Sequence, residues 1–356
     1  MVDELYIMNS TPEHKRVLLT GVTGFLGSHT AIQLLQKGYH VLGTLRDIDR
    51  ADSIRNTIGK YTTNSDNLTF AEADLLDRNI WRELTKNMDF VQHIASPFPA
   101  GLPKSESDLL LPARSGTLDI MEAATLNGVK RIVVTSSIGA IAYGKSSQEL
   151  KQTLDENSWT DENNLKDTTA YYRSKTIAEK AAWDYLKNND TGLELSTVCP
   201  GAILGPILEN DFGTSANIVI SLLNGSLPAL PKIRFDVVDV RSVADLLIRV
   251  MEMPKAAGNR YIAASARMSF KDIAVMLKQT YPGIKIPRYE MPGMFTRLLS
   301  LFQPLLKPVL LETVQRRVDL NKAKRELQWM PISAAHAVIS CAESAIKHKL
   351  IASWKN

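Results

Sequence analysis

The chain has 356 residues, of which 44% are apolar and 22% are charged, a balance typical of a globular protein with one large core or two joined cores. Its formal net charge of +4 is small, and no run of basic residues forms a patch, so nucleic acid is excluded as an expected partner. No apolar stretch of about eighteen residues is free of charge, so no membrane span is expected.

Cysteines and histidines give no sign of a disulfide framework or a metal site. Cys199 and Cys341 lie far apart in apolar segments, which predicts reduced, buried thiols. The six histidines lack metal-ligand spacing, and His93 lies inside an apolar run, where packing is the expected role. Residues 1–15 are polar with early acidic residues, unlike a signal peptide. We therefore expect a cytoplasmic protein without a bound metal.

Up to about residue 200, short β-rich runs alternate with stretches of helical spacing. The predicted strands are RVLLTG (16–21), HVLGTLR (40–46), LTFAEAD (68–74), FVQHIASP (90–97), RIVVTSS (131–137) and LELSTVCPG (193–201). The predicted helices between them include SHTAIQLLQKG (28–38), LLLPARSGTLDIMEAATLNG (109–128) and TIAEKAAWDYLKN (176–188). This alternation predicts an α/β fold, with a Rossmann-type doubly wound parallel sheet that binds its ligand at the carboxyl ends of the strands.

Beyond residue 200 the pattern is less regular. One strand and helix return at 234–253, and the tail from about 267 is mostly helical. We therefore predict a dinucleotide-binding domain and a smaller, mostly helical C-terminal substrate lobe. The first comprises 1–200 and about 232–266, and the second about 201–231 and 267–356. Within the lobe, the apolar segment 294–311 is broken by two prolines. It reads either as a helical lid or core segment, or as a surface that touches a membrane or an apolar substrate.

Three glycines mark the turn between the first strand and the first helix. In LLTGVTGFLGSH, Gly21 permits the tight turn, Gly24 lets the backbone approach a pyrophosphate, and Gly27 lets the helix pack close to the sheet. The helix N-terminus then offers free N–H groups to the phosphates. A purely structural glycine turn is the alternative, but the position between a strand and a helix predicts dinucleotide binding.

A second motif lies in AYYRSK, residues 170–175. Tyr171 and Lys175 are four residues apart, so they share one face of a helix, whereas Tyr172 is offset and reads as a packing or substrate-wall residue. A lysine ammonium one turn away stabilises a tyrosinate and would lower the tyrosine pKa toward neutral pH. Tyr171 is therefore the expected proton donor.

Together the two motifs resemble the extended short-chain dehydrogenases/reductases. Within them the chain is most similar to the branch of dihydroflavonol reductases, cinnamoyl-CoA reductases and yeast-type aldehyde or methylglyoxal reductases. The resemblance extends from about 15 to about 350 and rests on TGVTGFLGSH, HIASPF, LLLPARSGTLDIMEAA, RIVVTSSIGAI, YYRSKTIAEKAAW, VDVRSVAD and DLNKAKRELQWMP.

The resemblance implies an NADP(H) site. Arg46, at the end of the second predicted strand, takes the position that binds the 2′-phosphate of NADP, and Arg50 could assist. Asp47 is the competing residue, because an acid there would favour NAD, and both charges could also be plain loop residues. The implied cofactor-binding residues are Gly21, Thr23, Gly24, Phe25, Leu26, Gly27, Arg46, Asp74, Leu75, Ala95, Ser96, Tyr171, Lys175, Pro200, Gly201, Ile203 and Ser215.

The resemblance also implies that Ser137, rather than Ser136, polarises the substrate oxygen, since the side chains of neighbouring strand residues point to opposite faces. A strand-end cap is the alternative role for either serine. Many relatives carry an asparagine in place of Ser115, where it supports a proton-relay water, and a serine can still hold that water.

We therefore expect an NADPH-dependent reductase of an aldehyde or ketone, reversible as an alcohol dehydrogenase. Its expected catalytic residues are Ser137, Tyr171 and Lys175. The substrate is expected to be a small and hydrophobic carbonyl compound, and the protein a monomer or homodimer. A nucleotide-sugar epimerase or dehydratase with bound NAD, and a non-catalytic dinucleotide sensor, are the competing interpretations.

Overall fold

A computed structural model of the chain describes residues 15–96, 105–210, 212–225, 227, 229–287, 289–291 and 310–352. The apolar segment 294–311 lies outside the described residues, except for its last two positions, and so does nearly all of the polar stretch 1–15. No helix in the described ranges has the length and apolar character needed to cross a membrane.

Seven parallel strands form the central sheet, in the order β11-β7-β5-β4-β1-β2-β3. These strands are β1 (Arg16–Thr20), β2 (His40–Leu45), β3 (Leu68–Glu72), β4 (Phe90–His93), β5 (Arg131–Thr135), β7 (Glu194–Pro200) and β11 (Arg260–Ala263). The six strands expected from the first half of the sequence are all present, which confirms the Rossmann-type parallel sheet. The edge strand β11 was not predicted.

Helices cover both faces of this sheet, because its central strands are apolar on both sides. The helices are α1 (Phe25–Gln36), α2 (Ala51–Gly59), α3 (Arg78–Leu84), α4 (Ser107–Leu126), α5 (Ala170–Asn188) and α7 (Val240–Glu252). On one face α1 and α7 close a cluster of buried side chains that we call the α1/α7 core. On the other face α3, α4 and α5 close the α4/α5 core.

A smaller sheet and three helices form the C-terminal lobe. Three strands lie in the order β12-β10-β8, where β8 is Ala202–Leu204, β10 is Arg234–Asp239 and β12 is Ala266–Ser269. The helices α6 (Asn217–Leu223), α8 (Phe270–Thr280) and α10 (Ala334–Lys347) pack on this sheet around a separate cluster, the lobe core. Helix α9 (Lys322–Leu327) instead adds Ala323 and Leu327 to the α1/α7 core. The division into two domains remains a prediction.

Two short strand pairs connect distant parts of the chain. They are β9 (Leu230–Pro231) with β13 (Glu290–Met291), and β6 (Thr153–Leu154) with β14 (Arg317–Val318). The second pair holds the stretch after residue 310 against the loop that precedes α5. This stretch therefore lies beside the carboxyl edge of the large sheet, where the predicted site residues lie.

Candidate active site

The turn from β1 to α1 has the geometry of a phosphate-binding loop. Gly21 has a positive φ of 72°, which side chains rarely adopt. A Cβ on Gly27 would lie 2.0 Å from the Gly21 carbonyl oxygen, so only glycine allows this close packing. A Cβ on Gly24 would meet nothing in the described chain closer than 3.5 Å. The space above Gly24 is therefore open, as a bound pyrophosphate requires.

The first turn of α1 directs its side chains inward and leaves its backbone toward this space. Phe25 and Leu26 are buried and belong to the α1/α7 core. Thr23 is half-buried in the turn. A Cβ on Gly213 would approach the Phe25 ring to 3.3 Å, so the loop before α6 passes close to the turn. Ser215 lies half-buried in that loop, on the same side of the molecule as the glycines.

The end of β2 separates the roles of its two charged residues. The Asp47 carboxylate accepts a hydrogen bond of 3.1 Å from the Asp49 N–H, which caps the short helical turn that follows. Arg46 is exposed immediately after the strand. Arg50 forms an ion pair with Glu209 at 3.2 Å. Asp47 is thus engaged by its own loop, whereas Arg46 can contact a phosphate.

The predicted adenine and ribose residues line the ends of β3 and β4. Asp74 is exposed, and its carboxylate accepts a hydrogen bond of 2.8 Å from the Leu76 N–H. Leu75, Ala95 and Ser96 contribute to the wall of one pocket. The other side of this pocket contains Lys175, so the structure brings these predicted residues together.

Tyr171 and Ser137 meet at the carboxyl edge of the sheet. Helix α5 begins at Ala170, and Thr169 caps it by accepting from the Tyr172 N–H at 3.1 Å. Tyr171 therefore lies in the first turn of α5, where its hydroxyl shares a hydrogen bond with Ser137. The Ser137 hydroxyl also accepts from the Gly139 N–H at 3.0 Å. Ser137 thus caps the strand end and contacts the tyrosine as well.

Lys175 is buried one helical turn below Tyr171. Its ammonium donates a hydrogen bond of 2.9 Å to the Thr135 carbonyl oxygen, at the end of β5. Burial lowers the pKa of Lys175 to about 8, although the negative charge of Glu179 acts against this shift. Burial also raises the pKa of Tyr171 to about 12, and its hydrogen bond with Ser137 acts in the opposite sense. The depressed tyrosine pKa expected from the sequence is not found in this arrangement, because burial dominates.

Ser136 has a different partner from Ser137. Its hydroxyl donates to Glu179 at 2.5 Å, and Thr197 donates to the same carboxylate at 2.6 Å. Arg260, on β11, forms a buried ion pair with Glu179 at 2.7 Å. Burial opposes the charge of Glu179, but Arg260 and these hydrogen bonds outweigh it, so its pKa lies below the usual value. Glu179 was missed in the sequence, although its position four residues after Lys175 places it on the same helix face.

Tyr172 faces away from Ser137 and belongs to a separate group of side chains. Its hydroxyl donates to the Glu312 carboxylate at 2.8 Å, as does the hydroxyl of Tyr143. The two rings are stacked with their centroids 4.0 Å apart. Burial raises the pKa of Glu312, and the two tyrosine hydrogen bonds act against that shift. No sequence signal marked Glu312, because it follows Tyr172 by 140 positions.

His93 is packed, as predicted. Its Nδ1 lies 3.0 Å from the Thr20 hydroxyl, and its Nε2 lies 3.4 Å from the Thr117 hydroxyl. Burial lowers the pKa of His93 to about 3, and the nearby charge of Lys175 lowers it further, so the ring is neutral. Ser115 donates its hydroxyl proton to the Leu111 carbonyl oxygen at 2.8 Å, within its own helix.

The residues expected to cover the nicotinamide lie between the two sheets. Pro200 ends β7, and the Gly201 N–H donates to the Ala263 carbonyl oxygen at 3.0 Å. A Cβ on Gly201 would lie 1.9 Å from the Asp236 carbonyl oxygen, so β10 presses directly against it. Ile203 packs against the α1/α7 core from β8.

Neither the cysteines nor the described acidic residues form a metal centre. Cys199 and Cys341 are buried and free, as predicted. Within the ranges that the structure describes, no group of three or more His, Cys, Asp or Glu side chains could hold a metal ion. The site instead offers a phosphate-binding turn, a tyrosine bonded to a serine, and a buried lysine. This set can bind a dinucleotide and transfer a proton.

Similar arrangements occur in proteins of known activity. The sequence pattern of the NAD dependent epimerase/dehydratase family matches residues 17–264. The chain is 34% identical to cinnamoyl-CoA reductase 1 of Oryza sativa subsp. japonica, over 77% of this chain and 78% of that protein. It is 32% identical to anthocyanidin reductase ((2S)-flavan-3-ol-forming) of Vitis vinifera, over 77% of this chain and 83% of that protein.

Solved structures give the same result. Yeast methylglyoxal/isovaleraldehyde reductase Gre2, in complex with NADPH, superposes with a TM-score of 0.78 and 25% sequence identity, covering 94% of this chain and 99% of that one. These matches confirm the reductase branch and the nicotinamide cofactor that the resemblance implied. The chain therefore belongs to the NAD dependent epimerase/dehydratase family, among the extended short-chain dehydrogenases/reductases.

Proposed function

We propose that this protein is an NADPH-dependent reductase of an aldehyde or ketone, which also runs in reverse as an alcohol dehydrogenase. The observation that carries the proposal is the hydrogen bond between Tyr171 and Ser137, one helical turn above the buried Lys175. A proton donor and an oxygen-binding hydroxyl thus meet at the sheet edge where Rossmann-type folds bind their ligands. This is the arrangement that reduction of a carbonyl requires.

The residues of the chain divide the reaction between them. NADPH, when bound, supplies the hydride that goes to the carbonyl carbon. Ser137 donates a hydrogen bond to the substrate oxygen, which stabilises the negative charge that develops there. Tyr171 transfers its phenolic proton to that oxygen, and its phenolate is neutralised by the Lys175 ammonium. The raised pKa of Tyr171 keeps it protonated, and therefore able to act as the acid, at neutral pH.

The choice of NADPH over NADH rests on the end of β2. The guanidinium of Arg46 is exposed there and matches the geometry of a phosphate monoester. The Asp47 carboxylate is used to cap its own turn, so it is not presented to a ribose hydroxyl. The yeast reductase of similar fold was solved with NADPH, which supports the same cofactor for this chain.

The proposal includes several features that the sequence predicts. The reacting carbonyl compound is a small molecule with an apolar body, taken up between the dinucleotide-binding domain and the C-terminal lobe. The protein acts as a monomer or homodimer in the cytoplasm. The apolar segment 294–311 is a candidate lid over the substrate.

The direct experiment follows cofactor absorbance in purified protein with NADPH or NADH and a panel of carbonyl compounds. The panel contains aliphatic and aromatic aldehydes, diketones, flavanonols and acyl-CoA thioesters. We expect NADPH-dependent turnover of at least one aldehyde or ketone. Tightly bound NAD in the purified protein, with no turnover of free carbonyls, would instead favour an epimerase or dehydratase. NADPH binding without turnover of any compound would favour a sensor.

A further inference from the structure

Two charged residues face each other across the small sheet. Strands β10 and β12 are antiparallel, and their register pairs Arg267 directly with Asp236. Cross-strand partners lie on the same face of a sheet. The two side chains therefore occupy one patch of the small sheet.

The alternation along the strands tells which face this is. Phe235, Val237 and Met268 contact the lobe core, whereas Val238 belongs to the α1/α7 core of the large sheet. Side chains alternate between the faces of a strand, so Asp236 shares its face with Val238. Arg267, its partner, shares that face too. Both charges therefore face the dinucleotide-binding domain.

The dinucleotide-binding domain presents catalytic residues to this face. The Asp236 backbone presses against Gly201, which follows Pro200 at the end of β7. Arg267 also lies close enough to Glu312 for its charge to lower the pKa of that carboxyl. Glu312 in turn binds the hydroxyl of Tyr172, the residue beside Tyr171. Arg267 thus borders the space that a substrate of Tyr171 would occupy.

Arg267 carries an unused hydrogen-bond donor. Its Nη1 atom is buried, and no atom of the chain accepts a hydrogen bond from it, as far as the described ranges extend. A buried guanidinium nitrogen without an acceptor costs free energy, so native structures rarely retain one unless a ligand supplies the acceptor. Asp236 does not fill this role, because its contact with Arg267 is not a hydrogen bond of that nitrogen.

We propose that Arg267 determines substrate specificity by donating a hydrogen bond to a second oxygen of the substrate, apart from the reacting carbonyl. This inference rests on the proposed function and names the substrate class: neutral carbonyl compounds that carry a further oxygen acceptor. Asp236 and Glu312 flank the guanidinium with two carboxyl groups. They disfavour a substrate whose second oxygen belongs to a carboxylate, because like charges repel at short range.

Three substrates of matched size separate these cases. A β-keto ester has a neutral second acceptor, the corresponding β-keto acid has an anionic one, and a methyl alkyl ketone of similar length has none. We expect kcat/KM with NADPH to be about 10- to 100-fold higher for the keto ester than for the plain ketone, the difference expected from one hydrogen bond to a charged group. The keto acid should be the poorer substrate of the two acceptor compounds.

The test compares wild-type protein with Arg267→Met and Arg267→Lys. Arg267→Met should reduce the ratio of keto ester to ketone to within about threefold of one, without changing kcat/KM for the plain ketone. Arg267→Lys, which keeps a donor, should restore part of the preference. Arg325→Met, at a side chain that is 62% exposed in α9, is the matched control and should leave the ratio unchanged. Melting temperature and NADPH affinity show whether each variant is folded.

The outcomes separate this inference from the proposed function. An equal loss for keto ester and ketone in Arg267→Met, or an unchanged ratio, would overturn the specificity role while the reductase activity stands. If wild-type protein reduces no carbonyl compound at all, the proposed function fails. The Arg267 site is then decided by binding: the keto ester, but not the ketone, should raise the melting temperature of wild-type protein and not of Arg267→Met. Equal shifts in both proteins would overturn it.

Discussion

The hydroxyl of Tyr172 donates a hydrogen bond of 2.8 Å to the carboxylate of Glu312. This contact turns Tyr172 away from Ser137 and engages its proton with a residue that follows 140 positions later. Tyr171, the neighbouring residue, shares its hydrogen bond with Ser137. The two adjacent tyrosines therefore have separate partners, and their substitution should have separate effects.

Replacement of each tyrosine by phenylalanine tests this division. Tyr171→Phe should lower kcat by about 10²- to 10⁴-fold, the usual contribution of a general acid, with little change in the dissociation constant of NADPH. Tyr172→Phe should change kcat only slightly but lower the free energy of unfolding by about 1–3 kcal/mol, because the buried Glu312 carboxylate loses a donor. Steady-state kinetics and urea unfolding measure the two effects. A larger loss of kcat in Tyr172→Phe would contradict the assignment of Tyr171.

Lys175 predicts a pH dependence of activity. Its pKa in the folded protein is about 8, whereas Tyr171 stays protonated to about pH 12. The kcat/KM for carbonyl reduction should therefore fall above about pH 8, as the ammonium that stabilises the phenolate is lost. Lys175→Arg should move this fall to higher pH, because a guanidinium remains charged. A pH profile that is the same in both proteins would exclude Lys175 as its source.

The same lysine predicts an opposite trend in stability. Its folded-state pKa of about 8 lies below the ordinary value of 10.5, so between these values the unfolded chain binds more protons than the folded one. The contribution of Lys175 to stability must then rise with pH across this window. Urea unfolding of wild-type protein and Lys175→Met from pH 8 upward should show this rise only in wild-type protein. Parallel curves would argue that the lysine is not desolvated.

The glycine turn allows folding and cofactor binding to be separated. Gly27→Ala should destabilise the fold by about 1–3 kcal/mol or more, because its Cβ would lie 2.0 Å from a backbone oxygen. Gly24→Ala should fold normally and raise the dissociation constant of NADPH by about tenfold or more, because the methyl group enters the open cradle. Gly283→Ala, with nothing within 4 Å, is the control. Unchanged NADPH affinity in Gly24→Ala would argue that the turn is structural only.

Arg46 is the residue on which the choice of cofactor depends. Arg46→Ala should raise the KM for NADPH by about tenfold or more and leave the KM for NADH nearly unchanged, because only NADPH carries the 2′-phosphate. Asp47→Ala is the matched control in the same loop, and it should not shift the preference toward NADPH. Equal effects of Arg46→Ala on both cofactors would show that Arg46 is a surface charge.

The buried pair of Glu179 and Arg260 predicts a large effect on stability. Glu179→Gln should lower the free energy of unfolding by about 3–5 kcal/mol, since it leaves the Arg260 charge buried without its carboxylate. The comparison is Glu162→Gln, in the more exposed pair with Lys180, where about 1 kcal/mol or less is expected. Similar losses in the two variants, measured by urea unfolding, would contradict a structural role for the Glu179 pair.

The sequence by itself determined the parallel sheet, the phosphate-binding turn and the tyrosine–lysine pair. All of these depend on short-range patterns: apolar runs that end in glycine, glycines at fixed spacing, and two side chains one helical turn apart. Such patterns are set within about ten residues of chain, where backbone geometry fixes which side chains are neighbours. The assignment of Tyr171 over Tyr172 followed from that spacing alone.

Only the tertiary structure decided which distant residues surround these motifs. Glu312 reaches Tyr172 across 140 positions, Arg260 reaches Glu179 across 81, and Arg267 faces Asp236 through the pairing of two strands. The tertiary structure also decided that burial raises the pKa of Tyr171, where helical spacing predicted a depressed value. Long-range contacts and desolvation depend on how the whole chain packs, and no local pattern of residues encodes them.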